Sequence, residues 1–199
     1  MSTVTLPGLP GPLEWLNPPV SFVQEDDTLT IEAGPITDLF TDPQGTAVKA
    51  DPPILLFPAD EQFTLSAHVS VEFASTFDAG VLVLWTDADY WGKLCFEFSP
   101  QGEPMIVSVT NNGISDDCNS VALTRRDIWL RITRINPTFA FHFSEDGVTW
   151  KMVRYFTLRA QEGLRVGFSS QSPTGQGCTA TFAEIRYSRT AVTDFRSGN

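Results

Sequence analysis

Alternation between apolar and polar residues dominates the chain from residue 63 onward. Between residues 63 and 73, apolar side chains fall on the odd positions and polar ones mostly on the even positions. A two-residue period of this kind predicts a β-strand with one buried face. Residues 81–85 are apolar at every position, which predicts a central strand that is buried on both faces.

Turn-forming residues separate the predicted strands. The Asp146-Gly147 pair lies between two alternating segments and favours a β-hairpin, because a primed turn needs positive φ at its centre. We expect strands at residues 139–144, 149–157, 164–171 and 179–187, and a short helical turn near residues 158–163. Many short strands separated by Gly, Pro and Asn predict an all-β sandwich or barrel.

The length and composition fit one domain with a large core. The chain has 199 residues, of which 42% are hydrophobic and 12% are aromatic, and residues 1–199 are expected to form a single β-sandwich domain. Residues 1–20 are rich in Pro and Gly, and we expect this lead-in to pack on the domain through Trp15. The longest stretch without a pattern, residues 37–53, contains Asp38; long loops in compact domains are often functional.

The net charge excludes several kinds of partner. With 24 acidic and 13 basic residues the formal charge is −11, so the chain is expected to repel nucleic-acid backbones and anionic membranes. The chain has no apolar run near the ~20 residues of a membrane helix. Its first residues lack the features of a secretory signal, so we expect a cytoplasmic protein.

The cysteines and histidines do not predict a disulfide framework or a metal site. Cys95, Cys118 and Cys178 are odd in number and widely spaced, so reduced thiols are expected. No C-x-x-C pair occurs, and His68 and His142 do not have metal-ligand spacing. We therefore expect no metal and no cofactor.

Five segments carry a resemblance to a known family. They are residues 77–81, 91–97, 115–119, 144–147 and 165–168. These segments resemble the family once labelled a domain of unknown function, whose members include the fungal regulation-of-enolase protein. The fold of that family is described as concanavalin A-like lectin/glucanase, so the resemblance implies a jelly-roll β-sandwich of two antiparallel sheets. It extends from about Trp15 to Tyr187 and implies no reaction, because fold does not determine function.

The predicted strand at residues 91–98 suggests where a ligand could bind. Leu94, Phe96 and Phe98 share one face, whereas Trp91, Lys93, Cys95 and Glu97 share the other. At ~3.3 Å per residue, Lys93 and Glu97 are about 13 Å apart. One interpretation is a ligand groove on the concave face, with Trp91 as an aromatic platform for a sugar. The other is a solvated face with cross-strand partners.

Other polar residues are candidates for the same groove. They are Asp78, Asp116, Asp117, Asn119, Arg154 and Gln171. Asp78 either caps a turn or contributes to the groove, and Arg154 either pairs with a carboxylate or faces the groove. The polar cluster at residues 115–120 fits a cation, a hydroxylated ligand or simple exposure. Gln171 precedes a Gly-containing loop that could border the site.

Known catalytic motifs do not occur in the chain. The E-x-D-x-x-E motif of concanavalin-like glucanases is absent, as are the G-x-S-x-G elbow, the phosphate loop and the dinucleotide fingerprint. A nucleophile pair of Cys95 and His142 remains conceivable.

Three hypotheses about function follow. A non-catalytic module that binds a carbohydrate or small polyol is favoured. A hydrolase that uses Glu97 with Asp78 or Asp116 is an alternative, and it needs carboxyl groups about 5–9.5 Å apart. A protein-interaction module that regulates a metabolic enzyme is the third hypothesis, and a protein partner or a homodimer is possible.

Overall fold

A computed structural model describes residues 3–199 as two packed β-sheets and one small hairpin, with the strands numbered in chain order. The first sheet has the order β1 (Glu14–Asn17), β6 (Ile54–Pro58), β15 (Arg165–Gln171), β8 (Ala79–Trp85), β9 (Tyr90–Phe98), β10 (Pro104–Asn112) and β11 (Ser115–Ala122). The second has the order β14 (Lys151–Thr157), β13 (Thr138–Ser144), β12 (Asp127–Ile135), β7 (Gln62–Val71), β16 (Cys178–Ser188), β3 (Thr28–Ala33) and β2 (Ser21–Glu25). The hairpin pairs β4 (Leu39–Thr41) with β5 (Val48–Ala50).

Neighbouring strands are antiparallel throughout both sheets, which confirms the predicted all-β sandwich and is consistent with a jelly roll. The hairpin predicted around Asp146-Gly147 joins β13 to β14. Its connection is a six-residue loop in which Gly147 has a φ of 73° but Asp146 does not have a positive φ, so it is not the two-residue primed turn that the pair suggested. The expected helical turn at residues 158–163 is wrong, because no helix forms within residues 3–199. The described chain therefore has no apolar helix of membrane-spanning length.

The main core lies between the two sheets. Even-numbered residues of β8 and β9, such as Leu82 and Phe96, meet odd-numbered residues of β7, such as Val69. A Cβ atom on Gly80 would lie 2.7 Å from a methyl group of Val69, so the sheets approach closely only because this position lacks a side chain.

The Pro- and Gly-rich lead-in is part of this core from Val4 onward. Val4, Leu6, Leu13 and Trp15 are all buried against it, which agrees with the expected packing through Trp15. Residues 1 and 2, also assigned to the lead-in, lie outside the described residues.

A second apolar layer covers the outer face of the first sheet, the face turned away from the second sheet. It contains Val81, Val83, Trp85, Trp91, Cys95, Val107 and Val109. Leu39 and Phe40 of the β4–β5 hairpin pack against this layer. The unpatterned residues 37–53 therefore form a cover, and β9 is buried on both faces, a feature that its alternation alone did not reveal.

Candidate ligand-binding site

A cavity of about 320 Å³ opens on the outer face of the first sheet, beside the β4–β5 hairpin. We call this cavity the cleft. Its polar wall consists of Asp38, Lys93, Glu97, Ser99, Asp117, Asn119 and Gln171. Its apolar wall consists of Phe40, Phe77, Pro100, Met105, Val109 and Pro173. The arrangement, with an apolar lining and a few converging polar groups, is typical of small-molecule sites.

Strand register brings the polar groups onto one face. Lys93 of β9 pairs with Val109 of β10, and Val109 pairs with Asp117 of β11. Directly paired residues point to the same side of a sheet, so Lys93 and Asp117 both face the cleft. Their Cα atoms are about 10 Å apart, because neighbouring strands are ~4.8 Å apart.

Lys93 is a buried ammonium group with two protein partners. Its side chain is part of a residue only 3% exposed. Its Nζ donates to Asp38 Oδ1 at 3.2 Å and to Gln171 Oε1 at 3.0 Å. Burial lowers the pKa of Lys93, but the negative charges of Asp38 and its neighbours outweigh this effect, and the pKa is raised overall. Lys93 therefore stays charged and is not a free amine nucleophile.

Glu97 is a buried acid without a protein partner. It is 8% exposed, and burial raises its pKa to about 8, against the opposing attraction of Lys93. Asp117 and Asp38 add to the rise because their charges repel an ionised Glu97. Within residues 3–199 its carboxyl group makes no hydrogen bond. At neutral pH it is a carboxylic acid that presents a donor and an acceptor to the cleft.

Asp117 and Asn119 are exposed residues of the edge strand β11 on the far side of the cleft. Reduced solvation raises the pKa of Asp117, and Lys93 opposes that rise. The charged groups of the cleft are thus one ammonium and two carboxylates, with Glu97 neutral between them.

Phe77 reaches the cleft from a strained backbone conformation. Its φ is 70°, which is unfavourable for a bulky side chain and costs about 1–3 kcal/mol. The strain is held by two hydrogen bonds: Phe77 N donates to Phe98 O at 2.7 Å, and Gln171 Nε2 donates to Phe77 O at 3.4 Å. Strained residues that persist in this way cluster at functional sites.

Asp78 supports the wall of the cleft rather than lining it. Its Oδ2 accepts hydrogen bonds from Ala74 N at 3.0 Å and Ser75 N at 2.7 Å, and its Oδ1 accepts from Ser172 Oγ at 2.6 Å. The carboxylate is completely buried by these contacts. Of the two roles left open for Asp78, the structure gives it the turn cap, and it positions the neighbouring Phe77.

The structure brings half of the ten candidate residues together in the cleft: Lys93, Glu97, Asp117, Asn119 and Gln171. Cys95 and Trp91 share their face but lie beneath the surface. Cys95 is fully buried, and burial raises its thiol pKa well above the usual value. Trp91 is 1% exposed and its indole N–H donates to Ala88 O at 3.2 Å. Trp91 is therefore not a platform for a sugar, and Phe40 and Phe77 are the aromatic walls instead.

Arg154 and Asp116 lie away from the cleft. Arg154, on β14 of the second sheet, donates to Ser108 Oγ at 3.0 Å and Thr110 Oγ1 at 3.1 Å, and pairs with Asp116 at 3.2 Å. Ser108 and Thr110 alternate with the cleft-facing residues of β10, so this group bridges the two sheets on the opposite face. Asp117, not Asp116 or Asp78, shares the cleft with Glu97.

The structure also contradicts the conceivable pairing of Cys95 with His142, because the two residues lie on different sheets. Cys95 lies on the outer face of the first sheet, whereas His142 lies on β13 of the second sheet, bonded to Phe195 O at 2.6 Å. The described residues contain no cluster of three or more His, Cys, Asp or Glu that could hold a metal ion.

Sequence reasoning missed Asp38, Phe40 and Phe77. The unpatterned stretch that holds Asp38 and Phe40 was the available signal, because its length suggested a function. Phe77 gave no signal, since neither its φ nor its exposure follows from its neighbours in the chain.

Comparisons with known proteins agree with this fold. A family model described as "Protein of unknown function (DUF1349)" matches residues 15–190. The chain is 29% identical over 171 residues to "Regulation of enolase protein 1" of Saccharomyces cerevisiae, covering 85% of this chain and 86% of that protein. A crystal structure of a functionally unknown protein from Saccharomyces cerevisiae superimposes with a TM-score of 0.84 and 28% identity, covering 90% of this chain and 97% of that one.

More distant structures share only the architecture. The GH43 BlXynB protein from Bacillus licheniformis has a TM-score of 0.73 and 14% identity, covering 89% of this chain but 36% of that one. At this identity the similarity establishes the fold alone.

Proposed function

The chain belongs to the family described as "Protein of unknown function (DUF1349)", and we propose that it binds a neutral carbohydrate or small polyol in the cleft without catalysing a reaction. The observation that carries the proposal is Glu97, a buried carboxylic acid that lines the cleft and has no hydrogen-bond partner among the described residues. Its carboxyl oxygens open into the cleft and are not sealed inside the protein. They are therefore free to exchange water for a ligand hydroxyl.

The charges of the cleft favour a neutral ligand. The ammonium of Lys93 is already balanced by Asp38, and Asp117 adds a second negative charge on the opposite wall. A phosphate or a sugar acid would be repelled by these two carboxylates. Hydroxyl groups suit Glu97, Asp117 and Asn119, because each hydroxyl both donates and accepts.

The apolar wall fits the non-polar face of a sugar ring. Phe40 and Met105 line the cleft together with the polar groups. A pyranose has an apolar face of C–H groups, which packs on aromatic and aliphatic side chains while its hydroxyls turn to the polar wall.

A binding screen tests the proposal. Thermal shift and calorimetry at pH 7 would compare neutral monosaccharides and polyols with sugar phosphates. We expect hits only among the neutral compounds, with about 2.7 kcal/mol of added stability at a hundredfold excess over Kd. Binding by sugar phosphates alone, or no binding at all, would contradict the proposal.

Variants of Glu97 identify the site. Glu97→Ala should weaken a hit at least tenfold, whereas Glu97→Gln, which keeps one donor and one acceptor without a charge, should retain affinity within a few fold. Glu103→Gln, an exposed glutamate outside the cleft, is the matched control. Unchanged affinity in Glu97→Ala would place the ligand elsewhere.

A second candidate function is acid–base catalysis on a glycoside. The observation that favours it is the contrast in burial between Glu97, which is 8% exposed and has its pKa raised to about 8, and the exposed Asp117 in the same cleft. Such a contrast is how enzymes obtain a general acid and a base from two carboxyl groups. Glu97→Gln separates the two functions: it would bind as the wild type does, but it would lose turnover of a chromogenic glycoside.

The same proposal includes a cytosolic location and a protein partner. Cys95, Cys118 and Cys178 are free thiols, as expected in a reducing cytosol. The yeast relative is named for regulation of enolase, which is consistent with a cytosolic binding protein that reports a metabolite level to another protein.

A further inference from the structure

We infer that the cleft takes a single sugar-sized ring, or one chain end, and not the inner units of a polysaccharide. This inference rests on the proposed function and specifies its ligand class. The feature that carries it is the β4–β5 hairpin, which lies across the sheet face where an open groove would otherwise run.

The rest of that sheet face is already filled with apolar side chains. Ile54, Leu56, Val81, Val83 and Trp85 are buried in the second apolar layer together with Leu39 of the hairpin, and Leu16 and Phe40 pack against it. A polysaccharide groove needs a continuous, exposed path with polar groups on successive strands. Here the polar groups of the sheet lie on alternate strands, β15, β9 and β11, whereas β8 and β10 between them contribute none.

Three contacts anchor the hairpin in this position. Asp38, just before β4, forms the ion pair with Lys93. Thr41 N, at the end of β4, donates to Ser115 Oγ on β11 at 2.9 Å. Asn17 Nδ2 of β1 donates to Ala50 O at the end of β5 at 2.9 Å. The hairpin is thus bound to the sheet next to both ends of β4 and at the end of β5, and it forms a fixed wall of the cleft.

Other segments border the cleft away from the hairpin. Phe77 and Pro173 stand on the side of β15, and Ser99 and Pro100 follow the end of β9. The resulting 320 Å³ is at the lower end of the range of about 300–1,000 Å³ for ligand pockets. A cavity of this size matches one ring.

The experiment compares ligand lengths on the intact protein. Calorimetry would measure glucose, xylose, galactose and mannose, and then their linear β-1,4-linked hexamers. We expect the hexamer of any sugar that binds to be no more than threefold tighter than the monosaccharide. Saturation-transfer NMR on the same hexamer should show strong transfer to one terminal ring and little to the inner rings.

The outcomes separate this inference from the proposed function. A hexamer that binds at least tenfold more tightly than its monomer, with equal saturation of inner rings, would overturn the inference and leave carbohydrate binding intact. If no sugar of either length binds, the proposed function fails and this inference fails with it.

Two variants test the role of the hairpin. In a variant with residues 39–50 replaced by a short Gly-Ser linker, the hexamer should bind at least tenfold more tightly than the monosaccharide. Phe40→Ala removes only one side chain and replaces the larger change if that change impairs folding. In this variant, saturation-transfer NMR should show strong transfer to the second ring of the hexamer as well as to the terminal ring. If a folded variant leaves the terminal-ring pattern unchanged, the hairpin does not set the ligand length and the inference is overturned.

Discussion

The ammonium of Lys93 lies 3.2 Å from the carboxylate of Asp38, although 55 residues separate the two along the chain. Lys93 belongs to a central strand, and Asp38 belongs to the segment that leads into the covering hairpin. The pair therefore does two things at once: it balances a buried charge and it holds the wall of the cleft.

Removal of one member of this pair should destabilise the protein strongly. Asp38→Asn keeps an oxygen that can accept from Lys93 but removes the negative charge that balances the buried ammonium, and we expect a loss of up to about 3–5 kcal/mol. Asp38→Asn combined with Lys93→Met removes both charges and should recover much of that loss. Urea unfolding of the single and double variants measures the coupling.

The pair of Lys49 and Asp51 is the matched control. It lies on the same hairpin at 3.8 Å, but both side chains are about half exposed. Asp51→Asn keeps an oxygen that can accept from Asp38 N, which lies 2.9 Å from Asp51 Oδ1, and should cost less than about 1 kcal/mol, because solvent screens an exposed pair. If Asp38→Asn and Asp51→Asn lower the free energy of unfolding equally, then burial of Lys93 does not make its ion pair more important for stability.

Glu97 should make the protein less stable as the pH rises. Its pKa is about 8 in the folded protein and about 4.5 in the unfolded chain. Between these values the folded state keeps a proton that the unfolded state has released, so the free energy of unfolding falls with rising pH. At ~1.36 kcal/mol per pKa unit the total is a few kcal/mol.

Glu97→Gln should remove this dependence, while Glu103→Gln should keep it. Thermal unfolding from pH 5 to pH 9 gives the comparison. A wild-type curve parallel to that of Glu97→Gln across this range would show that Glu97 is ionised at neutral pH.

His142 should make the protein less stable as the pH falls, in contrast to Glu97, and it should do so in a lower pH range. Burial lowers its pKa to about 4, with Phe195 O opposing the change. The unfolded chain binds a proton near pH 6.5, and the folded protein binds it only near pH 4. The contribution of His142 is therefore lost as the pH falls through this window. His142→Gln should flatten stability between pH 4 and pH 6.5.

A titration followed by NMR checks the histidine directly. The ring protons of His142 should stay at their neutral shifts down to about pH 4.5. A midpoint near 6.5 would mean that the ring is solvated and that its contact with Phe195 is open in solution.

Phe77→Asn should weaken ligand binding with little change in stability. Asn tolerates the positive φ that Phe77 adopts, so release of strain, worth up to about 1 kcal/mol, offsets the apolar area lost from a side chain that is 36% exposed. The loss of the aromatic wall should lower affinity several fold. Ile36→Asn is the control, because Ile36 has a φ of 58° but does not line the cleft; it should change stability without changing affinity.

The residue pattern predicted the all-β class and several strands from β7 onward, but it left sandwich and barrel open and predicted no strand before β7. Alternation in residues 63–73, the all-apolar run that ends at Trp85 and the Asp146-Gly147 turn each predicted a local structure that formed. These features succeed because burial of one or both faces of a strand leaves a period in the sequence itself. The two faces of β9 were also assigned correctly, with Lys93 and Glu97 opposite Phe96.

The composition of the cleft required the tertiary structure. Trp91 had the alternation of a surface residue, yet the hairpin and its apolar layer bury it. Asp116 and Asp117 are adjacent in sequence, but the pleat sends one toward Arg154 and the other into the cleft. For several strands from β7 onward, the sequence by itself determined the strand and its two faces, because those depend on local periodicity. Only the tertiary structure decided which face was covered, how Lys93 was paired and why Glu97 keeps its proton, because these depend on segments distant along the chain.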